Sequence, residues 1–342
     1  MPVYDKPFLT YEQQIDLLRN RGLLIGNKQF AISALSTISY YDLINRYKSH
    51  FMNDDGCFIS GVTLEYLYNF FLFDKDIQSL ILKYSVLSEN IFKTKLSHSL
   101  AKYLGVSILE YLNSHNYQSN IGNLRFIDIS TEIRSYINSD SVKDPTKHYK
   151  LNHNHIPPWI LMKNISLGNA INLFRLLDGE AKHDVAQHLI DKDFPFPMKV
   201  GFITNCLNAI RLFRNSAAHN LNFTDLRINS RYRPAPRILY AELGTPMLKR
   251  KNKKVIFPDR QALSGIYGCM LSILVLLNDY FLRSKFIVDF LSSTSISADP
   301  LRQELYPEYA KITQMPLDIS YRFTKYYQVI TSKSSPGIYN YF

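Results

Sequence analysis

The chain is short of the residues on which many chemistries depend. Three cysteines, Cys57, Cys206 and Cys269, are scattered through 342 residues. They form neither a disulfide framework nor a zinc spacing, and read as buried thiols in a reducing cytoplasm. There is no Gly-rich phosphate loop and no Gly-x-Ser-x-Gly elbow, which excludes nucleotide hydrolysis of the P-loop type and the common serine hydrolases. Internal repeats and low-complexity tracts are absent. The longest apolar run, Ile266 to Leu277, is too short to span a bilayer and reads as a core or interface helix. The opening Met1-Pro2-Val3-Tyr4-Asp5-Lys6 lacks the plan of a secretory signal. A cytoplasmic protein without membrane association is expected.

Acidic residues are the other shortage. Lys and Arg number 40 against 29 Asp and Glu, a formal charge of +11. The excess is concentrated between Arg227 and Lys254. Arg227, Arg231, Arg233, Arg237, Lys249, Arg250, Lys251, Lys253 and Lys254 face a single acid there, Glu242. Tyr232, Tyr240 and Phe257 are interleaved. Cations among aromatics suit a phosphate backbone with unstacked bases, so these nine residues are candidate RNA contacts, with a solvated basic loop as the bland alternative. Metal ligation is not expected. His148, His153 and His155 lie close together, but no Cys or further His accompanies them. Neither the His183/His188 spacing nor the Asp74/Asp76 spacing puts its pair on one helix face. No cofactor is expected.

What is present is a helical pattern almost throughout. Thr10-Tyr11-Glu12-Gln13 is a capping box opening a short helix that stops at Gly22. A second helix starts near Lys28, and a third carries Tyr40, Tyr41, Leu43, Ile44 and Tyr47. Thr63 to Leu104 holds no Gly or Pro and predicts two helices or one bent one. Asn113 to Asn123 reads as a polar loop, 127–137 as helix, and Asp140 to His155 as irregular. Order resumes at Pro157-Pro158-Trp159, with helices near 159–177 and 180–191. Residues 221–258, with four prolines after Arg233, read as an extended loop or hairpin. Asp259 to Phe290 is helical, Ser292 to Asp299 a linker, and the aromatic-rich remainder a surface wrap. The division expected is an N-terminal helical segment over 1–60, a helical domain over 61–292 with a basic insertion at about 227–258, and a C-terminal extension over 293–342. The fold class expected is all-α.

One helix carries a candidate chemistry. Pro197 suits a first helical turn and Asn220 a left-handed cap. Between them, at about 100° per residue, Ile203, Cys206, Leu207, Ile210, Phe213 and Ala217 make an apolar stripe. Thr204, Asn208, Arg211, Asn215 and His219 make a polar one. Arg214 projects into the apolar stripe beside Leu207 and Ile210, where a guanidinium needs an anion. That anion is either a carboxylate in a purely structural pair or a phosphate. Arg214 and His219 are five positions apart, with polar Asn215 directly after the arginine, and Asn215 shares a face with His219, placed either to orient it or to hold the phosphate.

Several blocks together resemble the abortive-infection family of AbiD and AbiF proteins, a branch of the HEPN superfamily. They are Lys6-Pro7-Phe8-Leu9-Thr10 with Gln13-Gln14-Ile15 and Arg21-Gly22-Leu23; Tyr40-Tyr41-Asp42-Leu43-Ile44 with Tyr47; Phe71-Leu72-Phe73-Asp74; Pro158-Trp159-Ile160-Leu161 with Leu167-Gly168; and Arg211 to His219. The order is the family's, over about residues 6–226, and AbiF is the nearer of the two. One departure is visible: relatives often carry Cys where Ser216 stands and a second His where Asn220 stands.

The resemblance implies a HEPN-like α-helical bundle working as a homodimer, with two Arg-x4-His motifs meeting in one cleft. It implies metal-independent RNA cleavage in phage defence, with Arg214, Asn215 and His219 catalytic and Arg211 beside them on the RNA. It also implies control by a small non-coding RNA acting as an antitoxin, and kinship with RNA-guided CRISPR effectors that use HEPN sites. The chemistry suits the residues independently. Attack by a 2′-hydroxyl needs a base, an acid and positive charge at phosphorus, which histidine and arginine supply. A non-catalytic protein that holds a structured RNA is the alternative.

Overall fold

A computed structural model describes residues 6–333, and within them the chain is an all-α bundle with two short β-hairpins. Its axis is one uninterrupted helix, Leu64–Leu104, of 41 residues. Thr63 caps its start by accepting the Tyr66 N–H at 3.0 Å, and Gly105 at φ 102° ends it. Buried residues run along more than one side of this helix, from Leu67 and Phe70 to Asp74, Ser88 and Lys93. That is why its sequence shows no clean stripe: it is surrounded. Against it pack Pro158–Asn164, Gly179–Leu189, Phe196–Ala218, Ile266–Leu277, Tyr280–Thr294 and Pro300–Thr313.

The run Ile266–Leu277 is a helix with all twelve residues buried, which accounts for its apolarity on every face. The turn that leads into it folds back so tightly that a Cβ on Gly268 would overlap the Leu263 carbonyl. Among the described residues no helix is long and apolar enough to cross a membrane. Cys206 and Cys269 are buried, and burial pushes the Cys206 thiol up to about 12. Cys57, expected to be buried as well, is only partly so.

The N-terminal helix Tyr11–Asn20 begins with the expected capping box, Thr10 and Gln13 exchanging bonds of 2.9 and 3.3 Å. Elsewhere the structure departs from the sequence reading. The third helix is broken into Tyr40–Leu43, a 3-10 turn Asn45–Tyr47 and Lys48–Phe51, so that Arg46 and Tyr47 turn inward. The polar stretch at 113–123 contains a 3-10 turn and the first strand of a hairpin, Asn120–Ile121 paired with Leu124–Arg125. Thr146–Asn152 is helical, not irregular.

The stretch 221–258 is more built than a loop. It holds a helix, Pro236–Leu243, whose Ile238, Leu239 and Leu243 are buried, and a hairpin, Arg250–Lys251 with Lys254–Val255. The C-terminal stretch does not wrap the surface. Pro300–Thr313 and Ile319–Lys333 are packed helices, with Tyr309 and Phe323 fully buried. Their aromatics fill the core; residues 334–342, with Pro336, lie outside the described residues. Buried apolar residues from Ile15 to Ile330 form one cluster, so the three stretches read from the sequence share a single core.

Candidate active site

The motif helix spans Phe196–Ala218, with Pro197 in its first turn. Ile203, Cys206, Leu207, Ile210 and Phe213 are fully buried, as their spacing requires. The helix ends in a Schellman arrangement. Leu221 N–H donates to the Ser216 carbonyl at 3.0 Å, Asn220 N–H donates to Ala217 at 3.4 Å, and Asn220 is left-handed at φ 51°. His219 is the C-cap, its N–H donating to the Asn215 carbonyl at 3.1 Å. Its backbone is therefore fixed while its side chain is exposed. The imidazole forms no hydrogen bond with a described residue.

Asn220 is the hub that holds this end. Arg46, whose side chain is 2% exposed, donates to the Asn220 carbonyl at 2.7 Å, to its Oδ1 at 3.0 Å and to the Leu221 carbonyl at 2.6 Å. The same guanidinium pairs with Asp42, and Asn220 Nδ2 donates to Asp42 Oδ1 at 3.2 Å. From the central helix, Lys75 donates to Asn220 Oδ1 and to Gln78 Oε1. Gln78 continues inward to Asp74 at 2.7 Å, and Asp74 also accepts from Tyr47 at 2.9 Å and Tyr309 at 3.0 Å.

Burial raises the Asp74 carboxyl above its usual range, against the two tyrosine bonds. Burial works upward on Asp42 too, but bonds from Arg46 and Ser39, with the Arg46 and Lys75 charges, hold it below that range. Burial, then the Arg46 charge, lowers Lys75. None of Asp42, Arg46 or Lys75 was picked out as a site residue from the sequence. Asp42 and Arg46 are spaced i, i+4, the only local signal they give.

Arg214 corrects one expectation. It does not project into the apolar stripe but lies on its flank, its side chain 37% exposed. Its anion is Glu89 of the central helix, at 3.8 Å from Nη2, with Nη1 donating to Asn215 Oδ1 at 3.1 Å. Glu89 is shared: its other oxygen holds Lys93 Nζ at 2.7 Å. Two cations on one carboxylate leave a net positive charge beside the exposed guanidinium edge. Arg214 Nε is buried without a partner. Arg211 is exposed one turn earlier, with Asn208 at 3.5 Å and Gly168 close enough that a Cβ there would lie 3.8 Å from its Nη1. After the helix, His50 Nε2 meets Asp225 Oδ1 at 2.6 Å, a pair the sequence reading did not identify.

The nine basic residues of 227–254 do not gather at His219. Arg227 is half-buried and donates to the Thr224, Leu226 and Ile312 carbonyls, so it knits the fold. Arg233 donates to the Arg260 carbonyl at 2.7 Å, and its own carbonyl accepts from Asn205, mid-way along the motif helix. Arg237 lies 6.0 Å over the Phe194 ring, beside the start of that helix. Lys249 pairs with Asp318 at 2.6 Å. Arg231, Arg250, Lys251, Lys253 and Lys254 are exposed. Where this stretch touches the motif helix it does so near its start, through Arg237, and at its middle, through Arg233, and none of the nine cations bonds to Arg214 or His219.

Comparison with protein families matches residues 33–224, more than half of the chain, to a family described as Abi-like protein. No curated protein and no solved structure matches.

Proposed function

The chain belongs to the Abi-like protein family, an abortive-infection family, and on that premise we propose that it is a defence endoribonuclease cutting RNA at Arg214 and His219. One observation carries the reading. At the end of the motif helix an imidazole free of any bond to a described residue is mounted on a rigid cap, five positions after an arginine whose guanidinium its shared carboxylate leaves incompletely neutralised. A structural Arg–Glu pair has no need of Asn220 clamped by Arg46, Lys75 and Asp42.

In this reading His219 takes the proton of the 2′-hydroxyl or delivers one to the 5′-oxygen. Arg214 binds the phosphate, where its charge stabilises the extra negative charge of the transition state. Asn215, hydrogen-bonded to Arg214, orients that guanidinium. The products are a 2′,3′-cyclic phosphate and a 5′-hydroxyl, and the step needs no metal because side chains supply base, acid and charge.

One chain offers one such histidine. A second copy related by a two-fold axis supplies the other. In support, Leu72, Leu212 and Leu221 are 38%, 38% and 56% exposed on the elements around this end, apolar surface that an isologous contact would cover. A small non-coding RNA is the proposed regulator.

The test is cleavage of labelled RNA by purified protein in the presence of a chelator, with analysis of fragment ends and of mass in solution. Cyclic-phosphate ends from a dimer are the expected result. Full activity in His219→Ala, or 5′-phosphate ends that require Mg²⁺, would remove the mechanism. The other reading, a protein that only holds a structured RNA, draws on the unpaired cations of the basic stretch; RNA binding without cleavage by the parent protein would favour it.

A further inference from the structure

The basic hairpin is built at a cost that solvation alone does not explain. Its turn puts Asn252 at φ 52° and Lys253 at φ 60°, both left-handed. Asn is at home there; a lysine is not. Lys251 and Lys254 are directly cross-strand, a like-charge pair that weakens a ladder. The Arg250 guanidinium caps the turn on the Lys253 carbonyl and lies 4.3 Å over the Tyr240 ring.

The base of the hairpin is anchored rigidly. Lys249 N–H donates to Asp259 at 2.6 Å, and Asp259 forms a two-pronged pair with Arg322 at 2.9 and 3.0 Å, both side chains buried. Between hairpin and helix Pro236–Leu243 lies a cavity of about 500 Å³, lined by Arg237, Tyr240, Arg250, Lys253, Lys254 and Arg260 over Pro236 and Val255. No carboxylate lines it, and among the described residues none of its five cations forms an ion pair.

We infer that this cavity is an RNA exosite: a pocket for the phosphates and one base of a single strand, built from residues other than Arg214 and His219. Five uncompensated cations on a fixed frame suit successive phosphates. The Tyr240 ring with its stacked guanidinium offers a flat surface for a base, and the volume admits a nucleotide. The repulsion between Lys251 and Lys254 is screened when a polyanion binds. That the strand held here is also the strand that is cut rests on the His219 reading.

The experiment is fluorescence anisotropy on full-length protein carrying His219→Ala, with end-labelled single-stranded RNAs of about 6 and about 24 nucleotides. Two further changes are compared in that background. Replacing Arg250, Lys251, Lys253 and Lys254 by Gln is expected to weaken binding of the longer RNA by about 100-fold. It should also lower the slope of log affinity against log salt by roughly 3, near 0.7 for each lost phosphate contact. Tyr240→Ala is expected to weaken binding about tenfold with the salt slope unchanged, and Tyr240→Phe to restore it.

Thermal melts check that each variant folds; the four-fold Gln variant carries the test if Tyr240→Ala does not fold. Polyglutamate and phosphatidylserine vesicles serve as competitors. Unchanged affinity and slope in the four-fold variant overturn the proposal. So does equal displacement by polyglutamate, which would mark a general anion surface, or by vesicles, which would mark a membrane contact. If the cleavage mechanism fails, no variant cuts RNA, yet these binding differences stand or fall by themselves.

Discussion

The His219 end of the motif helix and the basic hairpin are held in opposite ways. At the His219 end, buried groups are partnered: Asp42 pairs with Arg46, Gln78 and two tyrosines donate to Asp74, and Arg214 shares Glu89 with Lys93. At the hairpin, cations are fixed in place with no counter-charge among the lining residues. The first arrangement gives geometric precision to a few atoms; the second gives a field. Precision suits a reaction, and a field suits capture of a long anion. The comparison teaches that basic sequence following a candidate motif need not bond to it in the fold.

The comparison is broken most sharply by separating chemistry from affinity. His219→Ala and Arg214→Ala should each lower RNA cleavage by about 10²–10⁴-fold, while RNA affinity of His219→Ala by anisotropy changes less than about threefold. A parallel loss of affinity and cleavage in His219→Ala would mean that the motif and the hairpin do not divide the work. Next in size, Arg322→Ala leaves Asp259 buried without its partner and should cost about 3–5 kcal/mol of stability, read from urea unfolding. The same variant should weaken RNA binding before it alters His219, since it releases the base of the hairpin.

A smaller loss, about 2 kcal/mol, is expected for Arg46→Ala. Here cleavage should fall and RNA affinity should hold, because Asn220 loses its clamp while the hairpin is untouched. Retained cleavage in a folded Arg46→Ala protein would show that the hub is only structural.

The smallest effect is predicted at Asp289, which faces the central helix. Burial pushes this carboxyl up, but bonds from Lys285, Lys83 and Tyr84 overcome it and hold it at about 2. A lowered folded value means the stabilisation is complete above the unfolded value near about 4 and is lost as pH falls toward 2. Asp289→Asn should therefore cost at most about 1 kcal/mol at pH 7, and the gap from the parent protein should close on acidification. A gap unchanged between pH 7 and pH 2.5 in urea titrations would contradict this.

Much of the fold was legible because its signals are local. Thr10 with Gln13, Pro197 and Asn220 each mark a helix end through bonds within a few residues. The long helix was legible as a run without Gly or Pro, but not as a single rod, since burial on several sides erases periodicity. The C-terminal stretch read as a surface wrap, but Pro307 sits inside the helix Pro300–Thr313, where the buried Tyr306 and Tyr309 fix it by packing.

At the candidate site the motif residues stood out, and what positions them did not. Arg46 and Asn220 are 174 positions apart, and no local pattern links them. Arg214 was misplaced by a wheel that assigns a direction but not how far a long side chain swings to reach Glu89. A hairpin was one of the two readings of 221–258, but its strands were not located because the turn Asn252-Lys253 lacks glycine, and the pocket was hidden by Arg260, which lies outside the basic run.

The chain from Asn220 through Lys75 and Gln78 to Asp74 ends on Tyr309, far beyond the region that matches the family. Anyone trimming the protein to residues 33–224 would strip a hydroxyl from a buried carboxylate and the all-buried helix Ile266–Leu277 from the bundle. Such a fragment would present wide apolar faces to water and precipitate. The boundary at which this protein can be cut is set by its packing, not by where its likeness to relatives stops.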